Sequence, residues 1–134
     1  MPTNFLTKIK EKVLVKKPDR FKPVGFNEFI KTQIMILEAA FLFVKKGTEK
    51  QFEKDFEIAG QYISSIQGYL GHSLRKCIEQ ENKYILLVDW ERLEDHTIGF
   101  RQSEQYLEWK KLLHHYYDPF PIVEHFETIL ENKK

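Results

Sequence analysis

The chain has 134 residues, 42% hydrophobic, 14% aromatic and 31% charged, enough for one hydrophobic core and too short for two. Its formal net charge is +1, yet residues 1–33 carry eight basic against three acidic residues and the remainder 13 against 17; an acidic body excludes nucleic-acid binding by the domain, which would need a clustered basic surface. The single cysteine, Cys77, excludes an internal disulfide and fits a reducing, cytoplasmic setting, and neither a signal peptide nor a run of the ~20 apolar residues that spans a bilayer is found.

Residues 1–33 read as a basic arm interrupted by Pro18 and Pro23. A segment for an anionic membrane surface is the weaker reading. Packing onto its own domain or a twin subunit is the stronger, with Phe21, Val24, Phe26, Phe29 and Ile30 as apolar anchors. Residues 34–134 form the domain. It opens with a strand over 34–44 that is apolar on both alternating faces, the pattern of a central strand. Glu38 is the exception, sharing a face with Ile36, Ala40, Leu42 and Val44. It is either salt-bridged near the strand end or opens into a pocket as a base or ligand anchor.

Lys45-Lys46-Gly47 turns the chain, and Thr48 with Gln51 suggests a capping box opening a helix over 48–66. Phe52, Phe56, Ala59, Ile63 and Ile66 recur on one face of it. Gly68 suits a left-handed helix end. Strands follow over 69–79 and 84–91, then a helix over 93–117, broken near Arg101, with Ser103 as N-cap and Tyr106, Trp109, Leu113 and Tyr116 as its stripe. Asp118-Pro119-Phe120-Pro121 stops that helix, and a last strand runs over 121–130. The order is β-α-β-β-α-β, an α+β ferredoxin-like arrangement with a helical layer on a four-stranded antiparallel sheet. The helices can cover one face only. The other face, with Leu37, Ala39, Phe41 and Phe43, calls for a second copy of the chain.

Val88-Asp89-Trp90-Glu91, Asp95-His96, Phe100-Arg101-x-Ser103-x-x-Tyr106-x-x-Trp109 and Pro121-x-Val123-x-His125-Phe126, preceded by Lys46-Gly47 and Gly68-Tyr69-x-Gly71, resemble the antibiotic biosynthesis monooxygenase family over residues 34–130. The resemblance implies a dimeric α/β barrel with a small pocket in each subunit between sheet and helices. It also implies oxidation of quinol-like or polyketide phenols by O₂ without metal or flavin. The family's haem-degrading branch carries an Asn, a Trp and a His whose positions fall here at Ala40, Phe100 and Lys110. A lysine ammonium has no lone pair for iron, which leaves His114 as the nearby imidazole and argues against haem.

Under this resemblance the function is a cofactor-independent monooxygenase acting on a small aromatic, quinol-like or polyketide-like substrate. The alternative is a non-catalytic small-ligand-binding or stress-related dimer of the same fold. Glu38 or His96 is the expected base, with Arg101 as partner for a substrate anion and Tyr106 and Trp109 as orienting walls. Trp90, His114 and His125 complete the candidate substrate contacts. Trp90 also reads as core, His96 as either exposed or at the pocket mouth, and His125 as facing either the pocket or the sheet interface. His115 is expected to point outward. No two histidines have metal-ligand spacing, so no metal is expected, and the resemblance implies no other cofactor.

Overall fold

The structure is a computed structural model and describes residues 35–134. The expected basic arm over 1–33, with its anchors, lies outside the described residues. The chain divides into Ile36–Phe126, which carries the helices and the core, and a second unit whose described residues are Met35 and Glu127–Lys134. In that second unit Ile129 and Leu130 are exposed, and Lys133 pairs with Glu131 at 3.4 Å.

Strand β1 (Ile36–Phe43) leads to helix α1 (Glu49–Ile63) and then to the hairpin strands β2 (Tyr69–Lys76) and β3 (Lys83–Trp90). A π-helical segment (Asp95–Phe100), helix α2 (Glu104–Leu113), a 3₁₀ turn (His114–Tyr116) and β4 (Val123–Glu127) complete the order. The four strands form one sheet in the order β2-β3-β1-β4, with β1 and β2 each antiparallel to β3. This is the expected ferredoxin-like fold, and the strand read as central, β1, is an inner one together with β3.

Alternation of side chains along a strand decides what lies inside. Glu38, Ala40, Leu42 and Val44 face the helices together with Tyr84, Leu86, Val88 and Trp90, and all are buried. The opposite face carries Leu37, Ala39, Phe41, Phe43, Ile85 and Leu87, none fully buried, with Phe41 at 54% exposure. In α1 the stripe Phe52, Phe56, Ala59 and Ile63 is buried. Phe52 meets the edges of Phe56, Tyr84 and Tyr116 at centroid distances of 5.6, 5.0 and 5.4 Å. Each such fully buried large side chain is worth roughly 1.5–3 kcal/mol, so much of the aromatic content is structural. Phe56 also meets Trp109 at 5.3 Å, joining α1 to α2.

The helix starts divide. Ser103 caps α2 as expected, accepting from Tyr106 N at 3.1 Å. The capping box at Thr48 does not form. Thr48 Oγ1 donates back to the Lys45 carbonyl and Gln51 bonds Asp55, while Glu49 accepts from Gly47 N at 3.0 Å. The hydroxyl is committed to the preceding turn, and a first-turn carboxylate takes over at the positive helix end. The helix expected over 93–117 is three pieces. In the first, Arg101 N donates to His96 O five residues back, and Ser103 then adopts an extended backbone that restarts the helix.

Gly68 locks this segment in place. Its φ is +90°, and a Cβ there would overlap the Asp95 carboxylate. Asp95 accepts from Arg92 N at 3.2 Å and Arg92 Nη2 at 2.9 Å, while Glu91 N donates to Gly68 O at 2.8 Å. The turn after α1, the end of β3 and the residue before His96 are thereby tied together. Gly68→Ala should lower stability by about 2–3 kcal/mol, combining left-handed strain with displacement of Asp95. Gly47, also left-handed at φ +92° but with nothing near a built Cβ, should cost only about 1 kcal/mol as Gly47→Ala. Denaturant midpoints of the two variants check the contrast; equal losses would show that the Asp95 contact contributes nothing.

Candidate functional site

A carboxylate on the covered face of β1 is the costly feature of this fold. Glu38 is 5% exposed. Its Oε1 accepts a hydrogen bond from Trp90 Nε1 at 2.9 Å, and His96 Nε2 stands 3.4 Å from the same oxygen. His96 Nδ1 in turn meets His125 Nε2 at 2.8 Å. The His96 ring stacks on Trp90, with centroids 5.4 Å apart and planes 22° apart. Oε2 of Glu38 has no hydrogen-bond partner among the described residues.

Glu38 borders a cavity of about 320 Å³, at the small end of ligand sites. The sheet forms one wall, through Glu38, Ala40, Leu42, Leu86 and Val123. His96, Phe100, Arg101, Tyr106 and Trp109 form the opposite one, and His114, Tyr117, Phe120 and Pro121 close the end. That end is held to β1 by backbone bonds: Lys45 N donates to Tyr116 O at 2.9 Å and Asp118 N to Phe43 O at 2.8 Å. His114 packs edge-on against Phe120 and Tyr106, at 4.9 and 5.9 Å.

Burial governs the electrostatics. It raises Glu38 from the ordinary 4.5 to about 7, against the lowering effects of the Trp90 hydrogen bond and the Arg101 charge. Burial likewise drops His96 to about 3, helped by Arg101 and His125. His96 is therefore neutral at physiological pH, and its contact with Glu38 is not an ion pair. His114 falls to about 4 through burial and Lys110, and His125 is lowered by burial and Arg101. Tyr106 and Tyr117 are raised by burial, both also by Glu38. Arg101, exposed at the rim, is the cation that all of these groups except His114 and Tyr117 feel.

Six of the eight expected site residues line the cavity: Glu38, His96, Arg101, Tyr106, Trp109 and His114. Trp90 does not. It is wholly buried and holds Glu38 from behind, so its expected substrate contact is corrected to a structural one. His125 also stands outside the lining but reaches it through His96, on the helix-covered side of the sheet. His96 is 3% exposed, deeper than either expectation for it. His115 is exposed, as expected. The three positions compared with the haem branch divide: Ala40 and Phe100 line the cavity, and Lys110 is exposed with Nζ 5.6 Å from the Tyr106 ring centroid. Tyr117, Phe120 and Pro121 are lining residues that sequence reasoning misses. Their signal is a proline-flanked aromatic segment returning to the sheet, which a segment-by-segment reading takes for a helix stop alone. His96 and His125 spend facing nitrogens on each other, and among the described residues no group of three or more His, Cys, Asp or Glu is placed to hold a metal ion.

Residues 35–112 match the family model described as antibiotic biosynthesis monooxygenase. The uncharacterized protein YczJ of Bacillus subtilis (strain 168) is 56% identical over 95 residues, covering 71% of this chain and all of that protein, 100%. A solved structure from Bordetella bronchiseptica, assigned to the antibiotic biosynthesis monooxygenases, is 36% identical with a TM-score of 0.70, covering 73% of this chain and 100% of its own. A mutant of SnoaB, a cofactor-independent oxygenase from Streptomyces nogalater, gives a TM-score of 0.66 over 75% of this chain and 98% of its own. At 14% identity that likeness is one of fold.

The two shifted groups act on stability with opposite signs. Glu38 binds a proton more tightly folded than unfolded, so its contribution is greatest below pH 4.5 and is lost as pH rises to about 7. His96 binds one less tightly when folded, so its contribution is full above pH 6.5 and is lost as pH falls toward 3. Glu38→Gln removes the first dependence. The stability difference between variant and wild type should shift in the variant's favour by about 3 kcal/mol from below pH 4.5 to above pH 7. Urea titrations at the two extremes measure it, and a pH-independent difference would contradict the buried carboxyl assignment.

Proposed function

Because the chain belongs to the antibiotic biosynthesis monooxygenase family, we propose that it oxidises a small aromatic, quinol-like or polyketide-like substrate with O₂, using neither metal nor flavin. One observation carries this reading: a buried carboxyl beside a cavity walled by aromatic rings, one of its oxygens without a hydrogen-bond partner among the described residues, and raised by burial to about 7. A general base works best with its pKa near the working pH. His96, held neutral and weakly basic, is the poorer of the two expected bases.

Glu38 Oε2 takes the proton of a phenol or enol, and the resulting anion is stabilised by Arg101 in a site where little water competes. The electron-rich anion passes one electron to O₂, and the radical and superoxide join in a carbon–oxygen bond. The peroxide anion recovers the proton from Glu38 and loses water. A CH₂ group and O₂ have then become a C=O group and H₂O. Tyr106 and Trp109 hold the ring plane, and His114 with Phe120 limits its length. SnoaB, named as a cofactor-independent oxygenase, supports the chemistry by analogy of fold. No helix among the described residues is long and apolar enough to cross a membrane, and a cytoplasmic setting belongs to the same reading. So does a homodimer, since Leu37, Phe41, Ile85 and Leu87 stand partly exposed on the sheet's second face.

Oxygen uptake with a panel of quinols and polycyclic phenols, after metal chelation, tests the activity. Wild type should consume O₂ with at least one of them, and Glu38→Gln should be slower by at least about 100-fold while still binding it. Ligand binding without oxygen uptake would establish the non-catalytic binder instead. Light scattering should give twice the chain mass, and Phe41→Asp should split or unfold the dimer, because an unpaired buried carboxylate costs several kcal/mol. A monomeric wild type, or an unaffected variant, would contradict the dimer.

A further inference from the structure

His125 lies outside the cavity lining, yet it makes one of the shortest polar contacts around the site. We propose that His125 is a positioning residue: its Nε2–H donates to His96 Nδ1 and so keeps the single hydrogen of His96 on Nε2, facing Glu38. This rests on Glu38 being the base, as proposed above.

Counting hydrogens fixes the tautomer. An ionised Glu38 can only accept, and its Oε1 already accepts from Trp90 at 2.9 Å. His96 is neutral and carries one hydrogen. The 2.8 Å separation between His96 Nδ1 and His125 Nε2 requires that one of these nitrogens be protonated. If it were His96 Nδ1, the bare Nε2 would face the carboxylate oxygen at 3.4 Å, two acceptors opposed in a buried place. Placing the hydrogen on His125 removes that repulsion. It also turns His96 Nε2–H toward Oε1 as a second polar donor.

At 3.4 Å this contact is longer than a well-formed hydrogen bond, as catalytic contacts often are before a ligand closes them. With both donors on Oε1, the lone pairs of Oε2 remain for the ligand's proton. The fold supplies the device through two neighbours. β4 is the edge strand beside β1, and His125 shares with Val123, which lines the cavity, the half-buried face of β4. The stack of His96 on Trp90 fixes the ring in the plane that lets it reach both Glu38 and His125. The other charged or titratable groups that act on Glu38 or are acted on by it are Arg101, Tyr106 and Tyr117. None of them contacts His125 by hydrogen bond.

The test uses the ligand-free full chain with ¹⁵N-labelled histidine and ¹³C-labelled glutamate. At pH 8, nitrogen NMR should show His96 in the Nε2–H form alone. In His125→Phe, measured below the Glu38 midpoint of about 7 where the protonated carboxyl can itself donate to Nε2, that form should give way to a mixture that wild type does not show, and the midpoint should move up by roughly one pH unit. His125→Gln, whose amide can donate to His96 Nδ1, should restore both signals. A His96 hydrogen on Nδ1 in the wild-type protein overturns the proposal without any variant. An unchanged tautomer and midpoint in His125→Phe, or equal changes in His125→Gln and His125→Phe, overturn it too. Because no substrate enters these measurements, the expected tautomer together with absent oxygen uptake would sink the oxygenase reading and leave this one standing.

Discussion

The hydrogen bond from Trp90 Nε1 to Glu38 Oε1 is the contact on which the site depends. Glu38 pairs with Val88 and Ile36 with Trp90 in the β1–β3 register, so the indole reaches the carboxyl diagonally across two central strands. The donor belongs to a side chain with no exposed surface, braced by the edge of Tyr69 and the face of His96. A carboxylate placed here without such a donor would be an unpaired buried charge. With it, the carboxyl can be retained in the core and still be pushed toward the neutral form.

Two opposing effects set the balance at Glu38. Burial favours the neutral acid; the Trp90 hydrogen bond and Arg101 favour the anion. Burial prevails, but not by enough to keep the group protonated at all working pH values. The outcome is an acid near 7, able to take up and release a proton close to neutral pH. His96 shows what happens when all three influences agree: burial, Arg101 and His125 each lower it, and the imidazole is left as a neutral polar link. The same neighbourhood therefore separates the two expected bases into different roles.

Much of the fold was legible because its signals are periodic. The doubly apolar pattern of β1, broken only by Glu38, reported both a central strand and the one side chain that has no place in a plain core. The α1 stripe and the Ser103 cap were equally local. What could not be read depended on partners distant in the chain, or on a choice between equals. Thr48 follows the turn carbonyl of Lys45 instead of capping, one of two equally local hydrogen bonds. The burial of His96 is set by Asp95 clasping Arg92 over Gly68, and nothing in Asp95-His96 alone announces it. Trp90 has the composition of a cavity wall but sits one layer behind it. Tyr117 and Phe120 enter the cavity because residues 116–118 pair with the end of β1, a long-range match invisible to a reading by segments.

The proposed chemistry requires Glu38 to be a protonatable carboxyl inside an aromatic cavity near neutral pH. Difference infrared spectroscopy of the ligand-free protein, with Glu38→Gln as the reference, observes that group alone. A carbonyl stretch of a protonated carboxylic acid, absent from the variant, should persist well above the ordinary 4.5 and disappear with a midpoint near 7. A band that vanishes near 4.5 would mean that Glu38 is a solvated carboxylate, and the base, the cavity chemistry and the role of Trp90 would all fail together.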